Sequence, residues 1–189
     1  MAIDVAAVAA YTKNRLAVDD PETQRILDRA TSVVEDFCEW HVKPIKANHV
    51  ITLDGPGGRK LPLPTQKVDQ LHSVVEDGIA LNVAELVRSQ TKPVLLEKKS
   101  GACWSTNPSS IVVTMTHGYA EDEAMAYDMA VLDACDRFSQ MVGTVNVNGL
   151  KRYDVDDIKR EWFDPRSSEI HSVVINERLL RPYRLIEAL

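Results

Sequence analysis

The chain has 189 residues, of which 44% are hydrophobic and 26% are charged, and its formal net charge is −6. This length and composition predict one folded domain with a buried core, with room for an arm or an insertion, and exclude wholesale disorder. The acidic balance argues against a protein that wraps nucleic acid, because neutralising phosphates requires clustered cations.

The cysteines and the N-terminus indicate the compartment. Cys38, Cys103 and Cys135 are an odd number without a C-x-x-C pair, and each has apolar neighbours. We therefore expect reduced, buried thiols in a cytosolic setting. Residues 1–10 include Asp4 and lack a basic flank, which argues against a signal peptide. No window approaches the roughly 20 apolar residues that span a bilayer, so we expect no membrane partner.

Helical signals come first along the chain. Residues 3–11 form a short apolar helix candidate, and Asp20-Pro21 is a helix start, because Asp20 can cap and Pro21 suits the first helical position. The second helix should run to about Trp40 and end before Pro44. Its apolar residues recur at helical spacing: Ile26, Leu27, Ala30, Val33, Val34, Phe37 and Cys38.

The middle of the chain changes to short apolar runs separated by turn residues. The Gly-rich stretch 54–58 lies between two strand candidates, which predicts a hairpin with its second strand at a sheet edge. Asp77-Gly78 predicts a second hairpin. The remaining candidates are strands at 93–97, 103–104 and 111–116 and a single helical turn at 84–87.

Helical periodicity returns over residues 122–142, with Gly143 as the predicted terminator. A last helix should begin at Asp164-Pro165 and end by Pro182. The predicted class is α+β: a helical bundle core with an inserted small β-subdomain and an extended or helical C-terminal arm. The expected divisions are residues 1–47 (N-terminal helices of the helical core), 48–119 (the inserted β-subdomain), 120–143 (a core helix) and 144–189 (the C-terminal arm with its final helix).

No catalytic, cofactor or metal site is predicted. The Gly-rich stretch leads into 59–62, which cannot readily begin the helix that a phosphate loop requires. The five histidines lack zinc-ligand spacing, and the serines around Trp104 lack a G-x-S-x-G elbow. The acids of the third helix favour a solvated face over an ion site. The alternative is a small metal-dependent hydrolase that would use Asp128, Asp133, Asp136 and His117.

Five segments together resemble the head-to-tail connector, or adaptor, proteins of actinobacteriophages, a head completion family of tailed phages. The similarity spans roughly residues 19–185 in the family's order, and one departure is the long, charged stretch 146–163. The segments that carry it are Val33–Pro44 (with Phe-Cys-Glu-Trp-His), Ile51–Pro64, Ser73–Gly78, Val112–Tyr119 (with Thr-His-Gly-Tyr) and Leu179–Leu185.

The resemblance implies a structural virion protein without enzymatic activity. It implies a homo-oligomeric ring, expected to be a dodecamer, that binds the portal protein and a head-tail stopper or tail-proximal connector protein. Double-stranded DNA would pass through the lumen without sequence-specific binding, and acidic walls would let it slide. The protein would occur in the virion, at the neck between capsid and tail, and in the host cytoplasm during assembly.

Two alternatives remain open within this resemblance. The chain could be another neck component, the head-tail stopper, although stoppers are mostly β and two strong amphipathic helices favour the adaptor. The apolar interface candidates of the C-terminal arm could instead complete the subunit's own core. Those candidates are Trp40, His41, Val173, Val174, Leu179, Leu180, Tyr183 and Arg184.

Overall fold

The structure, a computed structural model, describes residues 3–89, 94–144, 152–155, 158–161 and 175–185. Helices and antiparallel sheets are both present, as the predicted α+β class requires. The chain forms two compact units: Met1–Phe37 with Met125–Pro182, and Cys38–Ala124 with Tyr183–Leu189. Within the described ranges, no helix combines the length and the apolar character that crossing a membrane would need.

The first unit is built mainly of helices, and the first two begin at side-chain caps. The Asp4 carboxylate accepts a 2.8 Å hydrogen bond from the backbone N–H of Ala7, and Asp20 accepts one of 2.9 Å from Glu22. The predicted helix start at Asp20-Pro21 is therefore confirmed. The elements are α1 (Val5–Tyr11), α2 (Pro21–Cys38), α3 (Met125–Thr144), the antiparallel pair β8 (Arg152–Val155) and β9 (Ile158–Glu161), α4 (Glu177–Leu180) and a 3-10 turn (Arg181–Tyr183).

Backbone conformation sets the ends of α2 and α3. Helix α2 ends at Cys38 because Glu39 has a φ of +64°, in the left-handed region. Helix α3 begins three residues later than predicted because Ala124 has a φ of +55°. Glu121, Asp122 and Glu123 therefore precede the helix. Gly143 lies inside α3, so the prediction that it terminates the helix was wrong.

The second unit contains two antiparallel sheets. One has the strand order β1-β7-β3-β4 and the other the order β2-β6-β5. The strands are β1 (Lys46–Leu53), β2 (Lys60–Pro62), β3 (Val68–Glu76), β4 (Ile79–Leu81), β5 (Leu86–Arg88), β6 (Leu95–Lys98) and β7 (Ile111–His117), and a 3-10 turn spans Val83–Glu85.

A hydrophobic core lies in this second unit. Along β7, alternate side chains are buried, which is the period-2 pattern of a strand packed on one face. The predicted helical bundle core is not evident in the described residues. The buried cluster comprises Leu61, Leu63, Val68, Val74, Val94, Leu96, Trp104, Ile111, Val113 and Met115.

One of the two predicted hairpins is present. Strands β3 and β4 pair with Glu76 opposite Ile79, and Asp77 and Gly78 take φ values of +48° and +80°, as a two-residue turn requires. The hairpin predicted around residues 54–58 was wrong. Strands β1 and β2 lie in different sheets, because the Gly-rich stretch runs beside 105–107 instead of turning back. Gly55 and Gly57 donate hydrogen bonds of 2.9 Å to Asn107 and Ser105.

The segment around Trp104 also departs from prediction. Residues 103–104 are irregular rather than a strand, and Cys103 is exposed, so the expectation of three buried thiols was wrong. Cys38 and Cys135 are buried, and none of the three cysteines, all within the described ranges, forms a disulfide. Trp104 is buried because its indole N–H reaches the carbonyls of Arg59 and Leu96, at 3.0 and 3.2 Å.

Candidate functional site

The C-terminal segment, defined here as Tyr183–Leu185, lies in a set of polar and aromatic side chains of the second unit. This set, the aromatic cradle, comprises Glu39, Trp40, Gln66 and Tyr119. The Trp40 indole donates a 2.6 Å hydrogen bond to the carbonyl of Tyr183. The Tyr119 ring lies 5.9 Å from that of Trp40 and 5.7 Å from that of Tyr183, the latter edge-on. These separations are typical of stabilising aromatic pairs.

Every residue of the C-terminal segment is also held through its main chain. The carbonyl of Arg184 accepts a hydrogen bond from the Gln66 side-chain amide, and the N–H of Leu185 donates one of 2.9 Å to the carbonyl of Cys38. The Arg184 guanidinium binds Glu39 Oε1 at 2.8 and 3.2 Å. The cradle therefore holds residues 183–185 through three main-chain hydrogen bonds, to which the Arg184–Glu39 ion pair adds a side-chain contact.

Gly118 places Tyr119 in the cradle. Its φ is +107°, and a Cβ there would lie 3.1 Å from the carbonyl oxygen of Pro44 and 3.3 Å from that of Val42. The chain after β7 can therefore pass close to residues 42–45, where the N–H of Tyr119 donates a 2.9 Å hydrogen bond to Val42. A residue with a side chain would both strain the backbone and crowd residues 42–45.

Two lysines fix the loop that follows Tyr119. Lys67 pairs with Glu123, and its ammonium lies 5.2 Å from the centre of the Tyr119 ring. The hydrogen bond from Lys67, and then that from the N–H of Ala120, lowers the pKa of Glu123. Lys43 donates to the carbonyls of Glu121 and Glu123 at 3.0 and 2.9 Å.

Three histidines meet beside the cradle. His117 is 2% exposed, and its Nε2 lies 2.9 Å from Nδ1 of His49. The His41 ring is edge-on to that of His117 at 6.1 Å, and its Nε2 lies 2.5 Å from the carbonyl of Pro44. Burial first, and then the nearby His49 and His41, lowers the pKa of His117 to about 4. His117 is consequently neutral at physiological pH.

The acids of the hydrolase alternative have structural partners in the first unit. Asp133 accepts hydrogen bonds from the Tyr11 hydroxyl and, at 3.3 Å, from the Asn176 amide. The hydrogen bond with Asp133 raises the pKa of Tyr11. Asp136 pairs with Arg15 and accepts a 2.7 Å hydrogen bond from Gln140. Over the ranges given above, no three His, Cys, Asp or Glu side chains form a group that could hold a metal.

The predicted interface residues fall into three sets. Trp40, Tyr183 and Arg184 come together in the cradle, and His41 joins the histidine group. Leu179 is half-buried and Leu180 fully buried on α4, which packs against α3. Val173 and Val174 lie outside the described residues.

Sequence reasoning missed three members of the cradle. Glu39, Gln66 and Tyr119 were not predicted as interface residues. The Gly-Tyr pair at 118–119 offered the only usable signal, since a glycine that ends a strand often permits a close backbone approach. Nothing in the sequence pairs Glu39 with Arg184, 145 residues away.

No family model matches the chain, and neither does any curated protein. Among solved structures, it is similar in fold to a chain of a structure described as "Neck of native GTA particle computed with C12 symmetry". That match has a TM-score of 0.53 and 15% identity over 100% of this chain and 94% of the other. A second is to a chain of "Neck of empty GTA particle computed with C6 symmetry", with a TM-score of 0.59 and 14% identity over 100% and 92%.

Proposed function

We propose that the chain is a structural protein of the neck of a phage-like particle: a head-to-tail adaptor that forms a ring beneath the portal and links capsid to tail. The observation that carries this proposal is the likeness in fold, over the full length of the chain, to chains from the necks of GTA particles. The ordered motifs of Val33–Pro44 and Val112–Tyr119 support the same function from the sequence.

A ring of twelve copies is the proposed assembly. The two similar neck structures were computed with C12 and C6 symmetry, and a ring of twelve identical subunits is compatible with both symmetries. A closed ring needs two different patches on each subunit that meet head to tail. Trp40, His41, Leu179, Tyr183 and Arg184, together with Val173, Val174 and Leu180, remain the proposed contact residues.

The portal protein and a stopper or tail-proximal connector are the proposed neighbours. DNA would pass through the lumen without sequence-specific contact, which the net charge of −6 supports because acidic walls repel phosphates. Helices α2 and α3 favour the adaptor over the mostly β stopper. The hydrolase is disfavoured because Asp133 and Asp136 bind Tyr11, Asn176, Arg15 and Gln140.

Deletion of the coding sequence tests this function. The mutant should produce filled or leaking heads without attached tails, and supplying the chain from a plasmid should restore tailed particles. The matched control deletes a gene for a tail fibre, which should leave head and tail joined. Normal tailed particles from the deletion mutant would refute a neck function. An intermediate in which heads carry a neck ring but no tail would indicate the stopper rather than the adaptor.

A further inference from the structure

We propose that the histidine group, His41, His49 and His117, is an acid-sensitive switch that releases the C-terminal segment from the aromatic cradle. Uptake of protons by this group would separate the chain segments that carry Trp40 and Tyr119, while the rest of the second unit stays folded. The switch acts within one chain and does not require the proposed ring.

The histidine group lies directly beside the residues that hold the segment. His41 follows Trp40 in the chain, and Tyr119 comes two residues after His117. The rings of His41 and His117 lie 6.1 Å apart, edge-on. Those of Trp40 and Tyr119 lie 5.9 Å apart, and the N–H of Tyr119 donates a 2.9 Å hydrogen bond to Val42. Repulsion between the two histidines would therefore act on the two segments whose contact forms the cradle.

Strand pairing joins the histidine group to a third part of the cradle. His117 lies opposite Val68 of β3, and the N–H of Gly118 donates a 3.1 Å hydrogen bond to the carbonyl of Lys67. Gln66, whose side-chain amide binds the segment, comes immediately before Lys67. A displacement at His117 would thus reach three of the four side chains of the cradle.

The hydrogen bonds of His117 fit only its neutral form. Its Nε2 lies 2.9 Å from Nδ1 of His49, so one of these nitrogens carries the hydrogen and the other accepts it. Nδ1 of His117 is buried without a hydrogen-bond partner among the described residues. Charged His117 has a hydrogen on both nitrogens, so its Nδ1–H would be a buried donor without an acceptor. If His49 is charged as well, two N–H groups face each other and the bond between the rings is lost.

The groups that surround His117 are mostly cationic, or become so in acid. Burial first, and then His49, His41 and Lys46, lowers the pKa of His117 to about 4. The nearby carboxylate of Glu123 is paired with Lys67, and the Asp69 side chain is exposed. The titratable and charged groups, by element, are His49 and Lys46 on β1, His41 and Lys43 before it, Lys67 and Asp69 on either side of Val68, Arg88 on β5, which donates to the Val68 carbonyl, and Glu123 in the loop after Tyr119.

The direction of the pH effect follows from the pKa of His117. Closure of the cradle holds this pKa at about 4, below the ordinary 6.5, so an added proton favours the open form in which the ring reaches water. The cradle is fully closed above pH 6.5, and closure weakens as the pH falls to about 4. The ratio of released to bound segment should rise by up to tenfold per pH unit, and by roughly 300-fold over the interval.

Two N–H groups of the unmodified chain report the state of the cradle in proton–nitrogen NMR spectra. The Trp40 indole and the Leu185 amide each donate a hydrogen bond that holds the segment. As the pH falls from 6.5 to about 4, we expect both signals to move upfield with one midpoint, which matches protonation of the His117 ring. The internal control is the Trp104 indole, whose hydrogen bonds lie in the hydrophobic core and should persist.

Histidine variants assign the transition to the group. His117→Gln should abolish it, and His72→Gln, at an exposed position on β3, should retain the native midpoint. The half-buried positions provide a second test if His117→Gln fails to fold. His41→Gln and His49→Gln should each make the transition less steep, because fewer protons are taken up.

Three results would overturn the switch. In the first, the Trp40 and Leu185 signals stay in place down to pH 4. In the second, they disappear together with the Trp104 signal, which would mean that acid unfolds the whole unit instead of releasing the segment. In the third, the transition is native in His117→Gln, or in both His41→Gln and His49→Gln, which would assign the proton uptake to other groups.

Discussion

The indole nitrogen of Trp40 donates a hydrogen bond of 2.6 Å to the carbonyl oxygen of Tyr183, 143 residues further along the chain. Trp40 is 6% exposed, so this bond forms largely out of water, where a lost partner is costly. The C-terminal segment therefore contributes to the stability of the unit that contains β1 to β7, although only a few residues supply the contact.

Replacing Trp40 by Phe should remove the hydrogen bond and keep most of the ring packing. We expect a loss of about 1 kcal/mol in the free energy of unfolding, and a loss of about 3–5 kcal/mol for Trp40→Ala, which also leaves a cavity. Urea unfolding measures both. Amide exchange at Leu185, whose N–H binds Cys38, should accelerate in parallel. Unchanged exchange in Trp40→Ala would contradict a coupling between the indole and the segment.

Gly118→Ala should destabilise the chain more than an alanine at another left-handed glycine. Gly118 and Gly101 both have positive φ, but an added Cβ meets the Pro44 carbonyl at 3.1 Å in the first case and open space in the second. Backbone strain alone costs about 1–2 kcal/mol, which we expect for Gly101→Ala. Gly118→Ala should cost more than this. Equal losses for the two variants in thermal or urea unfolding would refute the close approach.

Acid should destabilise the fold through His117. Its pKa falls from an ordinary 6.5 to about 4 in the folded chain, so between these values the unfolded state binds the additional proton. Stability should therefore decrease as pH falls from 6.5 to about 4, by about 3 kcal/mol in total. The groups that lower the pKa, after burial itself, are His49, His41 and Lys46.

Variants isolate this contribution to the pH dependence. His117→Gln should flatten the slope of unfolding free energy against pH between 6.5 and 4, relative to the native chain. His72→Gln, at an exposed position on β3 that binds Thr116, should retain the native slope. A native slope in His117→Gln would show that another group takes up the proton.

The Lys98–Glu76 pair should behave as a buried ion pair. The side chains are 16% and 13% exposed, Lys98 lies 4.7 Å from the centre of the Trp104 ring, and Glu76 also accepts from the N–H of Ser105. Lys98→Met should cost about 3 kcal/mol, because the carboxylate loses its counterion but remains buried. The double variant Lys98→Met with Glu76→Met should recover much of that loss.

An exposed pair supplies the comparison for this substitution. Arg25 and Glu22 on α2 are 77% and 46% exposed, so Arg25→Met should change the unfolding free energy by about 0.5 kcal/mol or less. A loss at Arg25 as large as that at Lys98 would contradict the assignment of the effect to burial.

Local signals in the sequence were sufficient for much of the secondary structure. Helix α2 follows from Asp20-Pro21 and a periodic stripe, and the turn between β3 and β4 follows from Asp77-Gly78, since both depend on neighbouring residues. Such local signals did not predict which distant strands pair with each other. Strands β1 and β2 have a Gly-rich connection typical of a hairpin, but Gly55 and Gly57 bind residues 105–107 instead.

The candidate site was predicted only in part for the same reason. Trp40, Tyr183 and Arg184 were selected from motifs, but the pairing of residues 183–184 with Glu39, Gln66 and Tyr119 joins parts of the chain that are far apart in sequence. Helix α3 starts at Met125 because of the conformation of Ala124, a residue whose type gives no indication of a positive φ.

A reconstruction of the neck, from particles that contain this chain, tests the central proposal most directly. We expect a ring of twelve copies between the portal and the next connector, in which the fold of Cys38–Ala124 can be fitted with a C-terminal segment in each cradle. A neck reconstruction from those particles in which no ring accommodates this fold would contradict it.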